Sequence, residues 1–194
     1  INDRFIIISG DVVTDFDLTQ AVKFHEKRKS VSTLVLTRAK NPLQFGIVLT
    51  DKEGKITKFF EKPSWSEVFS DTINTGLYVL EKDTLGLVPK ARGSKADCDF
   101  SKDLFPYLLK NKMPLYGATL GGYWRDIGSL DDYIKTNLEA LKGKINLPLA
   151  NGLTKKGCII AGGAKISRNA KVINSVIGSR CRIAPGAVVK DSIL

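Results

Sequence analysis

Acidic, basic and amide side chains follow several strand-like runs of this sequence, at the points where the strands end in loops. Asp11 ends the run FIIISGD, Glu61 and Lys62 end KITKFFEK, Asn74 lies in TINTGLYV, and Asp126 ends YWRD. Open α/β sheets bind their ligands beyond the carboxyl ends of the strands. A carboxylate, an ammonium group and an amide at such ends could hold a phosphorylated sugar. These segments together therefore indicate phosphoryl chemistry.

Asp11 and Asp126 are candidate ligands of a hard metal ion. Magnesium is commonly held by one or two carboxylates, while water and phosphate oxygens fill its other positions. An aspartate that follows a glycine or a strand is also common turn chemistry, so each residue alone could be only a turn cap. Because both occur, with the segment 61–63 between them, the sequence favours a Mg²⁺ site.

Five further positions could contact the sugar phosphate. Lys62 could neutralise the phosphate during attack and Glu61 could accept hydrogen bonds from sugar hydroxyls, although the two could equally form a surface ion pair beside a turn. Asn74 offers an amide, and Gly76 allows a ligand to approach the backbone closely. A twisted or bulged strand explains Asn74 and Gly76 equally well, and Gly46 in QFGIV has the same two explanations.

The other nucleophilic and metal-binding residue types argue against several classes of protein. His25 is the only histidine, and it lies in a helical pattern among Lys and Arg, so we expect a solvated or half-buried side chain and no Ser/His/Asp or Cys/His catalysis. Cys98, Cys158 and Cys181 are widely spaced and form no CxxC pair, which argues against a disulfide framework and a zinc site. A reducing, cytoplasmic location fits this cysteine usage best.

Composition limits the expected partners. The chain has 194 residues, of which 43% are hydrophobic and 26% are charged, as in ordinary soluble proteins. No apolar run approaches the roughly 18 residues that span a bilayer, so we expect no membrane partner. The net charge of +10 is spread over scattered Lys and Arg residues without interleaved aromatics. We therefore expect no nucleic-acid partner, and the positive field suits phosphorylated small molecules.

The periodicity of apolar residues predicts an α/β domain with a mixed sheet. The run 4–9 indicates a strand buried on both faces, and a strand–helix–strand unit predicts a parallel crossover. The segment DKEG between two apolar runs predicts an antiparallel hairpin. Further strands are predicted at 32–37, 72–80 and 114–120, and helices at 17–29, from Ser101 onwards, and from Ser129 to about 142. Asp17, Ser101 and Ser129 are the expected caps of these three helices.

A different period begins beyond residue 155. Branched apolar residues recur in steps of six with one shorter step, at Ile160, Ile166, Val172, Ile177, Ile183 and Val189. A six-residue period is typical of a β-solenoid in which each branched side chain points into a stacked interior. About two coils fit before Leu194, so we expect the solenoid to continue past this chain or to pack on a partner, and both ends of the chain look cut.

The ordered set of motifs resembles the sugar-phosphate nucleotidyltransferases. The set comprises SGD at 9–11, FFEKP at 59–63, NTGLYV at 74–79 and YWRDIG at 123–128, followed by the hexapeptides. The resemblance covers nearly the whole chain. The segments DFSKDLFP at 99–106 and YWRDIGSLDDY at 123–133 are most similar to the mannose-1-phosphate guanylyltransferase branch, including its relatives that use glucose 1-phosphate.

This resemblance implies a fold and a domain order. Residues 1–143 would be the C-terminal part of a Rossmann-like catalytic domain with a mixed sheet. Residues 144–194 would be a linker and the start of a left-handed β-helix, through which the protein would form a homo-oligomer. The family's N-terminal glycine-rich segment, which grips the triphosphate and the base, is absent from this sequence, so the resemblance implies that this chain alone is inactive.

The resemblance also implies a reaction and roles for the residues above. Asp11 and Asp126 match the family's metal-binding aspartates, Glu61 and Lys62 its sugar and phosphate contacts, and Asn74 and Gly76 its sugar-binding segment. A sugar 1-phosphate would attack a nucleoside triphosphate in line and displace pyrophosphate, with Mg²⁺ as cofactor and no covalent enzyme intermediate. The expected product is an NDP-sugar, with GDP-mannose the first expectation.

Two other classes of protein remain open at this point. One is a non-catalytic regulatory subunit that binds sugar nucleotides, although Asp11, Lys62 and Asp126 would then have no chemical reason to be intact together. The other is a hexapeptide acyltransferase. That class would normally offer a histidine base in its solenoid, and residues 155–194 contain none.

Overall fold

The chain forms two compact units. The structure, a computed structural model, describes residues 3–61, 70–146 and 157–194. The first unit comprises Ile1–Val12 and Phe16–Gly121, and the second comprises Val13–Asp15 and Gly122–Leu194. The chain therefore enters the second unit briefly before it builds most of the first.

Short strands and helices alternate along the described residues. The strands are β1 Phe5–Ile8, β2 Val12–Thr14, β3 Ser32–Arg38, β4 Ile47–Thr50, β5 Ile56–Phe60, β6 Thr72–Leu80, β7 Leu115–Thr119, β8 Trp124–Asp126, β9 Ile159–Ile160, β10 Lys165–Ile166, β11 Lys171–Ile173, β12 Val176–Ile177, β13 Arg182–Ile183 and β14 Val188–Lys190. The α-helices are α1 Leu18–Arg28, α2 Val88–Arg92, α3 Phe105–Lys110 and α4 Leu130–Leu141; 3₁₀-helices lie at Pro42–Gln44 and Lys82–Leu87, and a π-helix at Phe100–Leu104. In these stretches no helix has the length and apolar character needed to cross a bilayer.

The first unit is built on a mixed sheet. Its strand order is β5-β4-β6-β3-β7, and β1 also pairs with β6. The β3–β7 pair is parallel, whereas β1–β6, β3–β6, β4–β5 and β4–β6 are antiparallel. Because β1 and β3 both run antiparallel to β6, they are parallel to each other, with β6 between them. The predictions of a mixed sheet, of the hairpin and of the strand–helix–strand unit are confirmed.

The helix of the strand–helix–strand unit begins as predicted. Asp17 is the residue before α1, and its Oδ1 accepts a hydrogen bond from the Thr19 amide at 3.0 Å. This bond satisfies one of the amides that have no partner inside a helix. Lys29 ends the helix with φ 48°, close to the predicted end.

The main core cluster of the first unit lies between the sheet and the helices α2 and α3, with the π-helix. Its buried members are Leu34, Leu36, Val48, Ile56, Tyr78, Leu80, Leu104, Phe105, Leu108 and Leu115. Phe5 and Ile7 of β1 pack against this cluster, but Ile6 and Ile8 are 41% and 52% exposed. The prediction that β1 is buried on both faces is therefore wrong, because successive side chains alternate across a strand and the described residues bury only one side.

His25 joins α1 to β3 and to the residue that follows β6, and it is completely buried. Its Nε2 donates to Glu81 Oε1 at 3.1 Å, since a carboxylate can only accept, and its Nδ1 accepts from the Thr33 hydroxyl at 2.8 Å. Arg4 Nε also donates to Glu81 Oε1, at 2.8 Å. The expectation of a solvated or half-buried histidine is wrong, because the face of α1 that carries His25 packs on the sheet.

In the second unit a short two-stranded sheet lies beside a helix. The strand β2 pairs with β8. Asp15 joins three parts of this unit: its Oδ1 accepts from the Tyr123 amide at 2.6 Å and its Oδ2 from the Asn146 amide at 2.8 Å. Ser129 caps α4 as predicted, because its side chain accepts from the Asp132 amide. One side chain therefore ties β2 to both ends of the segment 123–146.

The predicted repeat produces three parallel pairs of very short strands. They join β9 to β12, β10 to β13 and β11 to β14, with Ile159 opposite Val176, Lys165 opposite Arg182 and Lys171 opposite Val188. Partners in all three pairs are 17 residues apart. Three steps of the repeat, one of them shortened, span this distance. Val172 and Ile177 are buried between the strands, as the six-residue period predicts.

Burial of His25 makes the stability of the first unit depend on pH. Burial lowers the pKa of His25 below its usual 6.5, although the hydrogen bond to Glu81 opposes this shift. The unfolded chain therefore takes up the proton first, and the free energy of unfolding should fall as the pH is lowered below about 6.5. Urea unfolding between about pH 7.5 and 5.5 should show this slope in the wild type and not in His25→Gln.

The exposed Lys27 of the same helix provides the control, since Lys27→Gln should keep the wild-type slope. Burial would raise the pKa of Glu81, but the hydrogen bonds from Arg4 and His25 lower it below its usual 4.5. Glu81 therefore stays ionised throughout this pH range and does not contribute to the slope. An equal slope in the wild type and in His25→Gln would contradict the prediction.

Candidate functional site

In the first unit, Gly46 lies between two candidate ligand-binding side chains. In the antiparallel register Ile47 is opposite both Phe60 of β5 and Ile73 of β6. The neighbouring positions on the two sides of Gly46 are therefore Glu61 and Asn74. A Cβ atom built on Gly46 would lie 2.8 Å from Glu61 Oε2 and 3.5 Å from Asn74 Cβ. Glycine at this position lets the carboxylate and the amide approach each other.

The Asn74 side chain is held by three hydrogen bonds inside the first unit. Its Oδ1 accepts from the Gly76 amide at 3.2 Å, and this bond fixes which side-chain atom is the oxygen. Its Nδ2 donates to the Tyr78 hydroxyl at 3.0 Å and to the Ser101 Oγ at 3.2 Å. Both amide hydrogens are therefore used within the protein, and the hydroxyl oxygens of Tyr78 and Ser101 each accept one of them. The two hydroxyl groups also form a hydrogen bond with each other.

Sequence reasoning missed Tyr78 and Ser101 as members of this cluster. Tyr78 is only 8% exposed, and its ring lies edge-on to Phe105 at 4.8 Å between centroids. Burial raises the pKa of the Tyr78 phenol above its usual value, so the phenol stays protonated and can donate. The spacing of Asn74 and Tyr78, four residues apart in one strand, is a signal that could have found the tyrosine.

Ser101 was expected only as a helix cap, and that expectation is wrong. The cap is Asp99, whose Oδ1 accepts from the amides of Ser101 and Lys102 at 2.8 and 3.1 Å. Because Asp99 takes over the cap, the hydroxyl of Ser101 is available to Asn74. No local pattern reveals this, since Asp99 and Ser101 are both good caps.

A distortion of β6 brings Gly76 against the end of β1. The pairing with β3 jumps from Leu34 opposite Tyr78 to Leu36 opposite Asn74, so β6 is bulged between these pairs. Gly76 has φ 77°, and a Cβ atom there would lie 3.0 Å from Ser9 Cβ. A bulged strand was one of the two explanations that the sequence offered for Asn74 and Gly76, and the bulge is present. The Asn74 side chain still lies within its polar cluster.

Asp11 is attached to this same region through Ser9. The Ser9 amide donates to the Gly76 carbonyl at 3.0 Å, and the Ser9 hydroxyl donates to Asp11 Oδ1 at 2.5 Å. Asp11 is exposed. The first unit thus brings together Asp11, Gly46, Glu61, Asn74 and Gly76 around the bulge of β6.

The remaining two predicted residues lie elsewhere. Asp126 belongs to the second unit, at the end of β8, where its Oδ2 would be 3.6 Å from a Cβ atom built on Gly128. Lys62 lies outside the described residues. Within residues 3–61, 70–146 and 157–194, no three or more His, Cys, Asp or Glu side chains are grouped as a metal cluster would require.

Two similar proteins act on different nucleotides. A UTP–glucose-1-phosphate uridylyltransferase of Synechocystis sp. is 30% identical over 100% of this chain and 55% of its own length. A mannose-1-phosphate guanylyltransferase of Mycobacterium tuberculosis is also 30% identical, over 100% of this chain and 52% of its own length. The chain thus spans about half the length of the curated relatives it matches.

The fold has a counterpart among solved structures. A proposed glucose-1-phosphate thymidylyltransferase from Bacillus anthracis, solved with a sucrose, matches with a TM-score of 0.62 and 24% identity, over 75% of this chain and 57% of that one. This identity supports the fold alone.

A family model described as nucleotidyl transferase matches residues 1–143, which is well over half of the chain. The matched range includes the bulge of β6 and every candidate site residue. The chain belongs to the nucleotidyl transferase family, in the group of sugar-phosphate nucleotidyltransferases.

Proposed function

We propose that the whole protein transfers a nucleotidyl group from a nucleoside triphosphate to a sugar 1-phosphate, giving an NDP-sugar and pyrophosphate. The cluster around the β6 bulge, in which Gly46 admits the Glu61 carboxylate beside Asn74, carries the proposal. The substrates are a further step: GTP and mannose 1-phosphate are favoured by the segments 99–106 and 123–133. The similar proteins named above include both guanylyl and uridylyl transferases.

In this proposal the cluster binds the sugar. The Glu61 carboxylate accepts hydrogen bonds from sugar hydroxyls, and the hydrogen-bonded pair of Tyr78 and Ser101 hydroxyls has one hydrogen left to donate to a sugar oxygen. Asn74 holds these two hydroxyls in place, because both its amide hydrogens already point to them. A site whose donors are fixed before binding loses little conformational entropy when the ligand arrives.

In the same proposal, charged side chains bind the metal ion and the phosphates. Asp11 and Asp126 are proposed to hold Mg²⁺, and their carboxylate oxygens fit an ion that usually takes one or two carboxylates together with water and phosphate. The bound ion would neutralise charge on the phosphates. Lys62 would contact the sugar phosphate, one oxygen of which attacks the α-phosphorus while the bond to pyrophosphate breaks in line.

The proposed domain order follows the resemblance. Residues 1–143 would be the C-terminal part of the catalytic domain, and the family match over this range supports that boundary. Residues 144–194 would be a linker and the start of a left-handed β-helix, supported by three parallel strand pairs of equal spacing. Assembly of copies through this helix and a cytoplasmic location remain predictions.

Pyrophosphate release tests the proposed activity. The full-length protein would be incubated with Mg²⁺, each of the four nucleoside triphosphates, and mannose 1-phosphate or glucose 1-phosphate. We expect release with GTP and mannose 1-phosphate. Release with a different pair would support the activity and correct the substrates. No pyrophosphate release with any pair would contradict the proposal and favour a regulatory protein.

Asp126→Asn tests the metal assignment in the full-length protein. Removing the carboxylate charge while keeping the shape should lower Mg²⁺-dependent pyrophosphate release by about 100-fold or more. Asp131→Asn is the matched control, since Asp131 is an exposed acid in the first turn of α4 and its variant should keep wild-type rates. Wild-type rates in Asp126→Asn, with an unchanged circular dichroism spectrum, would refute the assignment.

Gly46→Ala tests the sugar contact of Glu61. The added methyl group would lie 2.8 Å from Glu61 Oε2 and 3.2 Å from Phe59 Cζ, so the carboxylate has to move. We expect the KM for the sugar 1-phosphate to rise roughly 10-fold, the worth of one hydrogen bond to a charged group, with the KM for the nucleotide unchanged. Gly86→Ala, where nothing lies within 4 Å, is the control. A sugar-phosphate KM that stays at the wild-type value would rule out this placement of Glu61.

A further inference from the structure

Arg125, the residue immediately before Asp126, donates a hydrogen bond from each of its three guanidinium nitrogens within the second unit. Arg125 Nε donates to the Tyr123 hydroxyl at 2.9 Å, Nη1 to Asp132 Oδ1 at 3.3 Å and Nη2 to Glu139 Oε2 at 3.0 Å. The Arg125 side chain is only 21% exposed. A planar fork held at three points has few alternative positions, unlike a surface ion pair.

The partners of Arg125 connect β8 to α4. Asp132 lies in the first turn of α4 and Glu139 two turns later. The Tyr123 hydroxyl, which accepts from Arg125, also donates to Glu139 Oε2 at 2.8 Å. Glu139 Oε2 therefore receives two donors that come from β8 and from the residue before it. This contact network fixes the strand along about two turns of the helix.

The backbone of the same segment is fixed by Asp15. The Tyr123 amide donates to Asp15 Oδ1 at 2.6 Å, and the Asp15 amide donates to the Tyr123 carbonyl at 3.2 Å. Side chains alternate across a strand, so Tyr123 and Arg125 share one side of β8 and Asp126 lies on the other. The same contacts that hold Arg125 against α4 thereby determine where the Asp126 carboxylate is presented.

We propose that Arg125 is a positioning residue that holds the Asp126 carboxylate where it would bind Mg²⁺, by locking β8 to α4. This inference rests on the proposed function. Mg²⁺ demands near-ideal geometry, so a small displacement of one carboxylate weakens its binding. Groups that orient a metal ligand without touching the metal typically contribute 10–100-fold in affinity or activity.

Arg125→Met tests the proposal, because methionine keeps an apolar stem and removes the fork. In the full-length protein, Mn²⁺ would serve as the probe, and its binding would be followed by electron paramagnetic resonance without turnover. We expect Arg125→Met to weaken Mn²⁺ binding about 10-fold or more, and to raise the Mg²⁺ concentration for half-maximal pyrophosphate release by a similar factor. The KM for the sugar 1-phosphate should not change, since the residues proposed to bind the sugar belong to the first unit.

Two more variants test whether a loss of Mn²⁺ binding in Arg125→Met comes from the contact between β8 and α4 or only from a general loss of structure. Lys144→Met removes a cation that lies 3.5 Å from Glu139 Oε1 but leaves β8 untouched, so its Mn²⁺ affinity should equal that of the wild type. Glu139→Gln cuts the network from the helix side, and it should weaken Mn²⁺ binding even if Arg125→Met does not fold.

The outcomes separate the inference from the proposed function. Wild-type Mn²⁺ affinity in Arg125→Met or Glu139→Gln, even with lowered thermal stability, would overturn the role of Arg125. An equal loss in Lys144→Met would overturn it too, as would a wild-type protein that binds no Mn²⁺. Absence of pyrophosphate release by the wild type would instead reject the proposed function, while the Mn²⁺ titrations would still decide the role of Arg125.

Discussion

The bulge of β6 is the constraint on which the arrangement of the first unit depends. At Gly76 the backbone adopts φ 77°, a conformation that side chains rarely tolerate, and the strand comes within hydrogen-bond distance of Ser9. The displaced residue Thr75 remains satisfied, because its hydroxyl donates to the Val35 carbonyl at 2.7 Å. A regular strand would have no extra residue at this point. Gly76 in the bulge therefore contacts Ser9, whose hydroxyl holds Asp11, two residues from Asn74 on the same strand.

The polar cluster beside the bulge is rigid because Tyr78, one of its members, packs in the apolar core. Tyr78 is one of the core residues, and its ring packs against Phe105 while its hydroxyl receives a hydrogen bond from Asn74. An unpaired hydroxyl at such a buried position would cost about 1–3 kcal/mol, so the hydrogen bond and the packing require each other. The first unit thus holds a set of polar groups in fixed directions at the edge of its core.

In the second unit, side-chain contacts hold strands of only three residues in place. β2 and β8 are each three residues long, and an isolated two-stranded sheet is marginal in water. Asp15 fixes the backbone of the segment before β8, and Arg125 fixes its side-chain face to α4. These polar contacts add to the burial of apolar residues such as Leu141 and Ile145 in this unit. Burial alone would raise the pKa of Glu139, but the Tyr123 hydroxyl and the Arg125 charge lower it, so the carboxylate stays ionised and keeps both contacts.

The sequence by itself determined the features that depend on near neighbours. The span of β6, the hairpin of β4 and β5, the caps at Asp17 and Ser129 and the spacing of the repeat followed from periodicity and turn chemistry, which act over a few residues. The family resemblance also followed from short motifs in a fixed order.

Only the tertiary structure decided which distant side chains meet. Asn74 and Ser101 are 27 residues apart and His25 and Glu81 are 56 apart, so their contacts depend on the register of whole strands. The burial of His25, the outward faces of Ile6 and Ile8, and the choice of Asp99 over Ser101 as cap were decided in the same way. A local pattern sets the conformation of a segment, but burial and long-range pairing determine which of its side chains face the core, the solvent or each other.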